Sequence, residues 1–79
     1  MIFDYIEWDE HNLDHPTKRL TARQIEQALA NADHWFLHKT IKDRRLVRSR
    51  TDGGKSVLVV VQVVQVVGGG LRPITGWEE

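Results

Sequence analysis

The spacing of apolar and polar positions divides the chain into one helical stretch and several strands. Ala22, Ile25, Ala28, Leu29 and Ala32 recur with a period that gathers them on one helix face. Thr21 and Gln24 have the spacing of a capping box, in which each side chain bonds the other's backbone N–H. Leu20, just before the cap, is placed to staple onto Ile25, and Asn31 and Asp33 mark the helix end. Such a stripe has to be buried, and the remaining pattern supplies a sheet to bury it against.

Ile2 to Trp8 mixes aromatic and β-branched residues and predicts a short first strand. Asp9 to His15 is polar enough for one or two exposed helical turns, ended by Pro16. After the main helix, His34–Lys39 and Arg44–Thr51 read as strands, and Asp52-Gly53-Gly54 predicts a hairpin into Lys55. The run from Ser56 to Val67 predicts a long central strand, buried on much of both faces. Gly68-Gly69-Gly70 then turns the chain into a last strand, Leu71–Thr75. Pro73 donates no ladder hydrogen bond, so this strand is expected at an edge or with a bulge. The expectation is an α+β fold, a small antiparallel β-sheet in the order β-α-α-β-β-β-β with helices packed on one face.

Seventy-nine residues leave room for one domain, residues 1–79. A chain of this size buries only about 60% of its unfolded surface, so a marginal core is expected. The absence of cysteine removes disulfides, thiolate zinc sites and thiol nucleophiles. No basic region followed by an apolar stretch opens the chain, and the valine tract is interrupted by Gln62 and Gln65. A cytoplasmic protein without membrane contact is expected. Small size and the long valine strand predict a homodimer formed through a sheet edge.

Zero net charge hides an uneven distribution. Residues 1–15 hold five acids and no Lys or Arg, a charge of −5. Residues 37–55 hold seven bases against two acids, a charge of +5. Two readings stand open: the basic stretch meets a polyanion or acidic partner, or the acidic N-terminus folds over it.

Candidate chemistry narrows to those bases. His11 and His15 lie four apart, but the supporting glutamate motif is missing and Pro16 cuts the helix short. They read as surface or capping residues, and neither a metal nor another cofactor is expected. Gly53-Gly54-Lys55-Ser56 has the ending of a phosphate-binding loop without its upstream glycine, and a hairpin is the wrong setting. Alternation places Arg44, Leu46, Arg48 and Arg50 on one strand face and Arg45, Val47, Ser49 and Thr51 on the other. Guanidinium groups clamp phosphates bidentately, although arginines also decorate solvated sheet faces. No predicted helix carries a basic face, which counts against a groove-reading DNA regulator.

The order of sequence words resembles BrnT-type toxins of type II toxin–antitoxin systems. The resemblance lies in Trp8-Asp9 followed by Asn12 and His15, and in Leu20-Thr21 through Ile25-Glu26 to Ala28-Leu29, closed by Asn31. It continues in the arginine-led hairpin from Arg45 to Val60 and in Arg72-Pro73-Ile74-Thr75. It implies a fold similar to RelE-type ribonucleases, metal-independent cleavage of RNA, and neutralisation by a cognate antitoxin. Carried over by position, Arg48, Arg72, Lys39 and Arg45 are the implied residues for binding and cleaving RNA, followed by His11 and His15 in binding; Arg50, on the same strand face as Arg48, is a binding candidate from the alternation alone. The chain departs from the pattern at Trp77, where the family carries arginine, and the family's following helix has no counterpart in these residues. The alternative is a non-catalytic interaction module that keeps the fold and binds a protein through Trp77 and the last strand.

Overall fold

The computed structural model describes residues 5–8, 20–32, 34–64 and 69–79. Its elements are β1 (Tyr5–Ile6), α1 (Ala22–Ala30), β2 (His34–Leu37), β3 (Arg44–Arg50), β4 (Ser56–Val64) and β5 (Gly70–Glu78). The five strands form one sheet in the order β1-β5-β4-β3-β2. The α+β class therefore holds, with one correction. β1 runs parallel to β5, so the sheet is mixed, whereas the alternating pattern predicted an antiparallel one. One helix is present among the described residues. The second expected helix, with His11 and His15, falls outside them, as do Ile2–Asp4, Asp33 and Gln65–Gly68.

α1 forms as its sequence dictates. Gln24 N donates to Thr21 Oγ1 at 3.1 Å, and Thr21 N donates to Gln24 Oε1 at 3.0 Å, completing the capping box. Asn31 closes the helix through a backbone bond to Gln27. Ile25, Ala28 and Leu29 are buried, and together with Leu20 they meet Val47, Val57, Val59, Val61 and Leu71 in one core. Burying each large aliphatic side chain contributes about 1.5–3 kcal/mol, so this single layer supplies most of the hydrophobic stabilisation.

The register shows which side of the sheet that core occupies. Val47 pairs with Val59, Ser49 with Val57 and Trp35 with Val47, all facing α1. β4 lies at the sheet's centre: Val57, Val59 and Val61 are fully enclosed on the α1 side and Val60 on the other face is also buried, while Leu58, Gln62 and Val64 there are half-buried. The valine run is thus closed on the α1 side and partly covered on the other, because helical cover among the described residues comes from one side.

Pro73 sits beside a register shift. Val61 pairs with Pro73 and Val60 with Thr75, leaving Ile74 as the extra residue of a β-bulge. β5 extends to Glu78, beyond the expected end at Thr75. Gly76 permits this extension: a Cβ there would press on Leu20 Cδ1 at 3.3 Å. The β3–β4 hairpin turns through Thr51–Lys55 with Gly54 at φ 88°, the positive-φ conformation for which glycine is suited. Asn31 Nδ2 bonds the Arg50 carbonyl (3.1 Å) and Asp52 Oδ1 (2.9 Å), lashing the end of α1 to this hairpin.

Candidate functional site

The face of the sheet opposite α1 carries the chain's organised surface chemistry. Directly paired residues project to the same side, so the register resolves this open face into rows running across the strands. His34, Arg48, Leu58 and Trp77 form one row. Phe36, Leu46, Val60 and Thr75 form the next, followed by Arg44, Gln62 and Arg72. Val64, Gly70 and Tyr5 make the last, with Gly70 leaving room for the Tyr5 ring. Arg50, paired with Ser56, lies beyond the first row. An apolar band with Phe36 46% exposed is thereby bordered by guanidinium groups on both sides.

The bulge makes this arrangement. Arg72 and Trp77 are five residues apart and would face opposite ways in a regular strand. The extra residue at Ile74 resets the alternation, so Arg72, Thr75 and Trp77 share the open face. Simple alternation along the sequence does not reveal that juxtaposition.

Arg48 and Arg72 stand in different rows, separated by four residues of β4, or ~13 Å along the strand. Each already holds a carboxylate. Arg48 meets Glu79 through Nε at 3.0 Å and Nη2 at 3.2 Å, while Arg72 Nη1 meets Glu7 Oε1 at 2.9 Å. These are two anion clamps along one surface. Arg44 Nε donates to Gln62 Oε1 at 3.4 Å and remains on the same face.

The other expected residues are placed differently. Arg45 pairs with Val61, projects toward the helix side and donates Nη1 to the Arg44 carbonyl, so it is separated from Arg48 and Arg72. Lys39 is exposed after β2, at the opposite end of that strand from His34. Trp77 is half-buried beside Leu58. His11 and His15 lie outside the described residues. Among the described residues, no group of three His, Cys, Asp or Glu side chains gathers as a metal site. No described helix is long and apolar enough to cross a membrane.

Two histidines gain roles that spacing alone does not distinguish. His38 Nδ1 accepts the backbone N–H groups of Thr40 and Ile41, at 3.2 and 3.1 Å, and so caps the β2–β3 turn. His34 pairs across the sheet with Arg48 and stacks on Phe36, with ring centroids 6.3 Å apart. His34, Arg48 and Arg50 also line an open cavity of about 730 Å³ at this end of the sheet. In sequence, His34 carries one usable signal: two residues before Phe36, it must share that side chain's strand face.

No protein-family model, curated protein or solved structure matches this chain.

Proposed function

We propose that this chain is a metal-independent ribonuclease, the toxin of a type II toxin–antitoxin pair, and that single-stranded RNA lies across its open sheet face. The observation that carries this reading is the set of rows itself: Arg44, Arg48, Arg50 and Arg72 border a band containing Phe36 and Leu46, with Trp77 in the row of Arg48. Backbone phosphates engage guanidinium groups bidentately, and aromatic side chains offer stacking surfaces to bases. The resemblance in sequence order to BrnT-type toxins supports the same reading independently of this geometry.

Cleavage on this face is a transesterification. The ribose 2′-oxygen attacks the adjacent phosphorus, the bond from phosphorus to the 5′-oxygen breaks, and a 2′,3′-cyclic phosphate forms. One proton leaves the 2′-hydroxyl and one reaches the departing 5′-oxygen, so the step is balanced. Arg48 supplies positive charge where the phosphorane becomes more negative, and the His34 imidazole in the same row gives or takes a proton. Arg72 and Arg44 hold the strand farther along.

A second reading has its own observation. Arg48 and Arg72 both hold carboxylates, the chemistry an acidic protein segment would present. A cognate antitoxin would use these contacts, and so would the partner of a non-catalytic module anchored on Trp77. Inducible expression in a bacterial host separates the two. Growth arrest with loss of total RNA, both abolished by Arg48→Ala, is the expected outcome. Normal growth with intact RNA, from protein shown to be folded and abundant, would favour the interaction module.

A further inference from the structure

The cavity at the β3–β4 end of the open face contains more positive charge than its surroundings balance. Arg48 and Arg50 are two apart on one strand and project to the same side. Glu79 occupies the Arg48 fork, whereas the Arg50 guanidinium has no partner among the described residues. One carboxylate therefore stands against two guanidinium groups. Ser49 and Ser56 also line this cavity. Ser49 is only 9% exposed, and its Oγ has no hydrogen-bond partner among the described residues. Ser49 is paired with Val57 and faces α1, so its hydroxyl lies on the other side of the sheet and takes no part in holding a ligand on the open face.

The Arg48–Glu79 contact has bidentate geometry, with Oε1 and Oε2 of one planar carboxylate meeting two N–H groups of one guanidinium. Phosphate presents the same pair of oxygens with more charge. The pair is also largely solvated, the Arg48 side chain being 59% exposed, and such pairs are weakly held. An incoming phosphate thus meets little resistance in replacing Glu79. Asp52 and the carbonyl end of α1, brought near by Asn31, oppose an anion, which makes both arginines necessary.

We infer that this cavity is a phosphate seat formed by Arg48, Arg50 and His34, and that the Glu79 carboxylate is its resident gate, displaced when a phosphate enters. The inference deepens the RNA reading by naming where one backbone phosphate is held, and it applies equally to free phosphate.

The test uses the full chain and two probes: inorganic phosphate, followed through the arginine Nε resonances, and a 2′-O-methylated, uncleavable oligoribonucleotide, followed by fluorescence anisotropy. Phosphate is expected to shift Arg48 and Arg50. Glu79→Gln is expected to tighten phosphate binding about threefold to fivefold, the scale of a weak exposed ion pair. Arg50→Gln is expected to weaken it about tenfold, as loss of a charge-assisted contact does. Arg72→Gln should leave the phosphate-induced shifts of Arg48 and Arg50 unchanged while weakening oligonucleotide binding. Unshifted arginine resonances, or a Glu79→Gln chain that binds phosphate no tighter, would overturn the seat. Oligonucleotide binding that ignores Arg50→Gln but needs Arg72 would sink the seat and leave the RNA reading standing. Phosphate binding without oligonucleotide binding would do the reverse.

Discussion

Arg48 is where the demands on this surface meet. It shares a row with His34 and Trp77, holds Glu79 and borders the cavity shared with Arg50. An exposed pair of this kind contributes about 0–1 kcal/mol to stability, so Arg48 is free to serve binding with little loss to the fold. Ser49, its neighbour, shows the opposite balance. Its buried, unpartnered hydroxyl costs stability that an alanine would not, since an unsatisfied buried donor is penalised by about 1–3 kcal/mol. Ser49→Ala is expected to leave the urea midpoint unchanged or raise it. A loss of unfolding free energy of more than about 1 kcal/mol would mean that the hydroxyl is satisfied in the free protein.

Among the elements, β5 does most to organise the surface. Ile74 is the extra residue, and Pro73, with no N–H to donate, sits where the ladder is interrupted. Deleting Ile74 regularises β5 while every other pair keeps its partner, so a loss of about 0.5–3 kcal/mol is expected, with Arg72 and Trp77 still facing the same way. Inserting an alanine between Thr75 and Gly76 would turn one half of the strand over and drive a charge or Trp77 toward the core. That cost is expected to reach about 3–5 kcal/mol, on the scale of an unpaired buried charge. Urea denaturation of both variants checks the alternation, and a deletion as damaging as the insertion would refute it.

These elements also mark how far sequence reasoning reaches. Local chemistry was legible: the Thr21–Gln24 box, the Gly54 turn and the two faces of Arg44–Thr51 appear where their spacing predicted. Pro73 in the sequence admits either an edge strand or a bulge, but the consequence of a bulge for Arg72 and Trp77 depends on which residue is extra. Only the pairing with β4 decides that. The parallel β1–β5 contact and the Arg48–Glu79 pair join residues far apart in the chain, so no local period announces them.

At the scale of the whole molecule, the described residues of a neutral chain gather guanidinium groups on one sheet face. The open face carries Arg44, Arg48, Arg50 and Arg72, while Glu7 and Glu79 sit at two of the clamps as replaceable anions. Binding of a single strand is therefore expected to weaken with salt, each neutralised phosphate adding about −0.7 to the logarithmic slope. Arg48→Ala should reduce the slope by about that amount, measured by anisotropy across a salt series. A slope near zero would mean that the guanidinium groups do not meet phosphates.

The central claim is that the open face binds and cuts RNA without a metal. Its most direct test is incubation of the purified chain with single-stranded RNA in EDTA, alongside a folded Arg48→Ala variant, with analysis of the product ends. The account predicts fragments ending in 2′,3′-cyclic phosphate and 5′-hydroxyl, with the rate reduced by about a hundredfold or more in the variant. RNA left intact by the folded wild-type chain, or cut equally by Arg48→Ala, would contradict it.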